Sequence, residues 1–153
     1  MSRIVGFVVA SLMLVACSGG EAPQSSKGSS AKARKDDPKL TQSWKMAAEH
    51  SPMSNGDLGA TPDELAQALF EQGAPNLSHK AATTCKAAGK LAGAASVALR
   101  FSVDDSGKIG KVSGDPSGDA ATCMADAFAK EAESVEKLPA GDALLRIKFH
   151  PAK

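Results

Sequence analysis

The sequence predicts an α+β fold: N-terminal helices, then a ββαβ unit whose three-stranded antiparallel sheet carries a helix on one face. Three observations lead there. Val97, Leu99, Phe101 and Val103 alternate with Ser96, Ala98, Arg100 and Ser102, the period of two that buries one face of a strand. Cys123, Met124, Ala127, Phe128 and Val135 recur at helical spacing behind Asp119, which is placed to cap that helix. Ala143, Leu145, Ile147 and Phe149 then alternate with Leu144, Arg146 and Lys148, so a closing strand turns the first set inward and the second outward.

The elements follow in order. Arg3 precedes an apolar run, Ile4 to Val15, broken only by Gly6 and Ser11. At about 1.5 Å per residue this run is too short for a hydrocarbon core of about 30 Å, so residues 1–16 read as a signal peptide. The run closes on Leu14-Val15-Ala16-Cys17, which resembles the lipobox of bacterial lipoproteins. That resemblance implies cleavage before Cys17, a thioether to diacylglycerol, and membrane lipid as the first partner. Two or more acyl chains hold a protein where one binds only marginally. Ser18 after the cysteine favours the outer membrane, with the remainder facing the periplasm. Residues 17–39, rich in Ser, Gly, Ala, Lys and Pro, read as the lipidated cysteine and a flexible linker. Lys27, Lys32, Arg34 and Lys35 in it are followed at once by Asp36 and Asp37, a solvated mixture of charge.

Residues 40–77 read as short helices. Leu40, Trp44, Ala47 and Ala48 share one helical stripe, and the breakers in Ser51-Pro52-Met53-Ser54-Asn55-Gly56-Asp57 make a loop. Thr61-Pro62-Asp63-Glu64 reads as a capping box, Leu65, Ala68 and Leu69 continue the helix, and Gly73 with Pro75 ends it. Residues 78–153 form the second unit, opening with an alanine-rich helix over about 78–88 that carries Cys85. After the first strand, Asp104-Asp105-Ser106-Gly107 is a turn and residues 109–113 return. Ile109 and Val112 are out of step with period two, so a bulge is expected near Gly110. Leu138-Pro139-Ala140-Gly141 breaks the helix before the closing strand. An all-antiparallel sheet needs the strand order two–one–three, which leaves the returning and closing strands as edges.

Three cysteines less Cys17 leave Cys85 and Cys123, an even pair that forms a disulfide in an oxidising compartment. With Gly93 before the first strand, Gly107-x-Ile109, Leu138-Pro139 and a strand ending in Phe149, residues 80–151 resemble a TonB C-terminal-like domain. The form is the two-cysteine variant found at the ends of gliding-motility envelope proteins. The chain departs from that pattern at Lys86, Val135 and Leu138, where the family carries aromatic residues. The resemblance implies strand addition: an envelope protein or peptide pairs with the exposed edge of the closing strand, around Leu144, Arg146 and Lys148. The alternative is that the N-terminal helices or a second copy of the chain cover this edge, the second case making a homodimer.

Other chemistry finds little to build on. A formal charge of +1 argues against nucleic acid, and 4% aromatic residues with no Tyr against a stacking platform. His50, His79 and His150 are scattered without a close ligand pair, so no metal or other cofactor is expected. Gly107-Lys108-Ile109-Gly110-Lys111 lacks the phosphate-loop spacing and joins two strands. Asp104, Asp105, Asp115 and Asp119 lack the calcium-loop pattern. With no nucleophile or carboxylate pair in a catalytic context, the reading is a non-enzymatic envelope protein that binds a partner. A passive assembly lipoprotein is the alternative, and a thiol oxidoreductase, which usually needs C-x-x-C, is a distant third.

Overall fold

Asp37 opens the described part of the chain, residues 37–151 of a computed structural model, by accepting a hydrogen bond from the Lys39 amide at 2.8 Å. That cap, with Pro38 in the first turn, starts helix α1 (Pro38–Ala48). Its buried face is Leu40, Trp44, Ala47 and Ala48, the stripe the periodicity predicts. The expected signal peptide, Cys17 and most of the linker lie outside the described residues.

The first correction comes next. Residues 53–57, expected as loop, form strand β1 (Met53–Asp57) and pair antiparallel with the end of the chain. Nothing in Met-Ser-Asn-Gly-Asp favours a strand, so tertiary packing decides it. Met53 is wholly buried, and the Trp44 ring lies so close over Gly56 that a Cβ there would collide with it. Helix α2 (Asp63–Glu71) and helix α3 (Ala74–Ala87) follow with only Gln72 and Gly73 between them. Helix α3 thus begins four residues before its expected start, Pro75 falling in its first turn where an N–H is not needed. The expected boundary between residues 77 and 78 falls inside this helix, and the two stretches share one core. Leu40, Trp44, Leu65 and Leu69 belong to the same buried cluster as Leu99, Phe128 and Leu145.

Strand β2 (Ser96–Val103), strand β3 (Ser113–Asp115), helix α4 (Asp119–Ala132) and strand β4 (Gly141–Phe149) complete the fold. The sheet is antiparallel throughout, in the order β1-β4-β2-β3. It therefore has four strands where three were expected, β1 being the addition. The β2–β4 ladder runs unbroken from Ser96–Lys148 to Val103–Gly141. At the β2–β3 hairpin, Asp104 takes hydrogen bonds from the amides of Ser106 and Lys108, and the Gly107 amide closes the turn on the Asp104 carbonyl at 2.9 Å. The bulge is present: three steps from Val103 to Arg100 on β2 face four steps from Ile109 to Ser113 on the returning chain. The extra residue lets Val112 join the core, and regular pairing is confined to the three residues of β3.

The inward residues of β2 and β4 meet helices α3 and α4, with the Phe101 and Phe128 rings 5.6 Å apart. The opposite sheet face is mostly open. Ser96, Arg100, Ser102, Asp142, Arg146 and Lys148 are all exposed on it. Asp119 does not cap α4. It is the first helical residue, Gly118 holds the cap position, and its carboxylate turns to Lys90 instead.

Candidate functional site

Two features could carry chemistry: the seam between α3 and α4, and the open face of the sheet. At the seam, Cys85 and Cys123 are joined by a disulfide with Cα atoms 5.8 Å apart. Cys85 is fully buried and Cys123 half-buried. Lys80 on α3 reaches Glu131 on α4 at 3.4 Å, a second and more exposed link. Beyond the helix ends, Lys90 meets Asp119 at 2.8 Å. Their hydrogen bond and mutual attraction raise the Lys90 pKa and lower that of Asp119. Both groups are solvated, so the pair tethers loosely. At the hairpin tip the Asp104 carboxyl is held below its ordinary range, first by the Ser106 hydroxyl and then by the Lys108 amide.

The open face corrects the expected binding edge. Leu144, Arg146 and Lys148 do not lie on an edge, because β4 pairs on both sides. Strand β1 covers it from Phe149 to Arg146, and the His150 amide extends the contact to the Pro52 carbonyl at 2.9 Å. Where β1 stops, the Thr61 hydroxyl takes over. It accepts from the Leu144 amide at 3.0 Å and donates to the Leu144 carbonyl at 3.4 Å. Thr61 therefore does not cap α2, whose cap position is Pro62 with no side-chain bond. Nor is Leu144 exposed. Residues 58–61 fold over it, and Gly59 approaches so closely that a Cβ there would be 2.9 Å from the leucine side chain.

Arg146 and Lys148 are exposed on the outer face as expected, Arg146 with its guanidinium 3.7 Å from the half-buried Asp57 carboxylate. The edges now belong to β1 and β3, and both are blunted. On β1 the Gly56 amide is taken by the Asn55 side-chain oxygen at 2.8 Å. Strand β3 is three residues long, and Pro116, which has no amide hydrogen, follows its last residue, Asp115. Short edges with occupied or missing donors are poor templates for an added strand. What remains accessible is side chains on the face, not backbone at the edge.

Sequence reasoning missed Thr61 and Asp57 as structural partners of β4. Among the described residues no group of three or more His, Cys, Asp or Glu could hold a metal ion, and no helix is long and apolar enough to cross a membrane. No family model, curated protein or solved structure matches the chain.

Proposed function

We propose that this chain is a lipid-anchored protein of the cell envelope, held by Cys17. Its disulfide-stapled domain faces the periplasm and binds an envelope protein or peptide. The observation that carries the reading is the order of features at the start of the sequence: Arg3, a twelve-residue apolar run, then Leu14-Val15-Ala16-Cys17. The Cys85–Cys123 bridge supports it, since such bonds persist in oxidising compartments. Ser18 favours the outer membrane.

The resemblance to TonB C-terminal-like domains implies strand addition at the closing strand, but β1 already fills that place. The reading therefore moves the contact to the open face, where Arg146 and Lys148 stand beside Ser96 and Asn55. The experiment follows both halves in cells. Cys17→Ser should give a precursor-length species without labelled fatty acid, and photo-crosslinkers at Ser96 and Lys148 should capture a neighbour that one at Lys86 on α3 does not. A mature-length, fatty-acid-labelled Cys17→Ser protein would refute the anchor. Capture from Lys86 but not from Ser96 or Lys148 would refute the face.

A further inference from the structure

We propose that the open sheet face contains an oxyanion subsite, which takes a carboxylate or phosphate group of whatever ligand the face binds. The place is a depression of about 400 Å³ where β2, the bulge and β4 meet, lined by Arg100, Lys111, Ser102, Ser113, Asp142 and Leu144. Three features single it out. First, two cations share it, although one comes from β2 and the other from the bulged segment before β3. Arg100 is on the outer face of β2, and Lys111 reaches the same face because the bulge adds a residue between Ile109 and Ser113. That residue allows Val112 to turn into the core while Lys111 turns out.

Second, these cations are uncommitted. Arg146 faces Asp57, Lys90 faces Asp119 and Lys80 faces Glu131, but Arg100 and Lys111 make no ion pair among the described residues. Asp142 lies in the same depression and pairs with neither within 4.0 Å. Third, the surroundings suit a small planar or tetrahedral anion. Arg100 presents a fork of donors that matches carboxylate or phosphate oxygens, Lys111 adds a point charge, and the Ser102 hydroxyl can donate. The Ser113 hydroxyl donates to the Arg100 carbonyl at 3.3 Å and so serves the backbone. The apolar wall, chiefly the exposed Ala60 lying over the buried Leu144, gives the group that bears the anion something to rest on.

Asp142 makes the inference sharp, because it opposes the bound charge. A merely structural region would respond alike to any substitution, whereas an oxyanion site must weaken when a cation is removed and strengthen when Asp142 is neutralised. The inference rests on the open face being the working face, and its test is separable from that reading. The isotope-labelled full chain, in detergent micelles at constant ionic strength, is titrated with inorganic phosphate and, separately, with acetate. Amide shifts are followed at residues 100, 102, 111, 113 and 142.

Saturable shifts confined to this region are expected. Phosphate alone would identify a phosphoryl ligand, acetate alone a carboxylate, and both a shared oxyanion site. Exposed charge pairs contribute modestly, so Arg100→Gln and Lys111→Gln should each weaken binding by about two- to fivefold, and Asp142→Asn should strengthen it by a similar factor. All three side chains are exposed, so melting temperatures serve as the folding control. Absence of saturable shifts with either anion, or an unchanged affinity in Arg100→Gln, overturns the subsite. If crosslinking from Ser96 and Lys148 persists in that case, the subsite falls and the docking face stands.

Discussion

Removing the bridge between α3 and α4 should be among the most costly single changes to this fold, comparable to emptying a fully buried core position such as Phe128. Cys85→Ala opens a loop of sequence separation 38. In the chain-entropy treatment, closing such a loop lowers the disorder of the unfolded chain by about 13 cal/mol/K, or about 4 kcal/mol at 25 °C. Domains of this size lose about 4 °C of melting temperature per kcal/mol, so a fall of about 15 °C is expected. The site adds a packing loss, because Cys85 is fully buried against α4. The remaining link across the seam, Lys80 to Glu131, is exposed and stabilises it little.

The assay is thermal unfolding followed by far-UV circular dichroism, with and without a thiol reductant. Cys85→Ala, Cys123→Ala and the double variant should melt within a few degrees of one another, since each loses the same bond. Reduced wild-type protein should fall to their level, while the variants ignore the reductant. The reasoning is refuted if the two single losses add in the double variant. Free thiols at both positions in protein trapped with an alkylating agent as cells are lysed would refute it too.

Two further changes test particular contacts. Thr61→Val keeps the shape of a buried side chain but removes both hydrogen bonds to Leu144, leaving a buried amide unpaired. A loss of about 1–3 kcal/mol in denaturant unfolding is expected; a loss of a few tenths would mean that water satisfies the β4 edge there. Asp104→Asn tests the hairpin tip. The carboxyl's pKa is lower folded than unfolded, so its contribution is present above the ordinary value of about 3.9 and fades as pH falls through the folded value. Wild type should therefore melt higher than Asp104→Asn at pH 7, and the two should converge in acid, where the protonated acid resembles the amide. A gap that does not change with pH would rule out an electrostatic origin.

What the sequence revealed and what it hid divide along a physical line. The stripe Leu40, Trp44, Ala47 and Ala48, the alternation from Val97 to Val103 and the bulge near Gly110 were all legible, because burial of a face leaves a periodic mark on side chains. The bulge was legible for the same reason: only an extra residue brings both Ile109 and Val112 toward the core. Helix starts were harder. Thr61 and Asp119 each have the right residue type for a cap, but each found a partner elsewhere, Leu144 for one and Lys90 for the other. Local pattern names a residue's options, and tertiary contacts choose among them.

The edge of β4 was hidden for a different reason. Alternation from Ala143 to Phe149 reports the strand's two faces, but a strand also has two edges, and those are made of backbone that every residue carries alike. Whether an edge is free depends on what arrives from a distance. Here it was Met-Ser-Asn-Gly-Asp, a segment whose own composition argues for a loop. The one mark left in the sequence was indirect. Leu144 is a large apolar side chain on a face whose other large side chains are polar, between Arg100 across the ladder and Arg146 along the strand. An isolated leucine on a surface needs no explanation. Yet a glycine-bearing stretch, Leu58-Gly59-Ala60-Thr61, was available to cover it. Only a residue without a Cβ can lie as close to that leucine as Gly59 does. The cover over Leu144 and the strand beside Arg146 are continuous chain, residues 53–61. Hiding the leucine and closing the edge are therefore one event, and what that event leaves exposed on this face is charged side chains: Arg100, Asp142, Arg146 and Lys148.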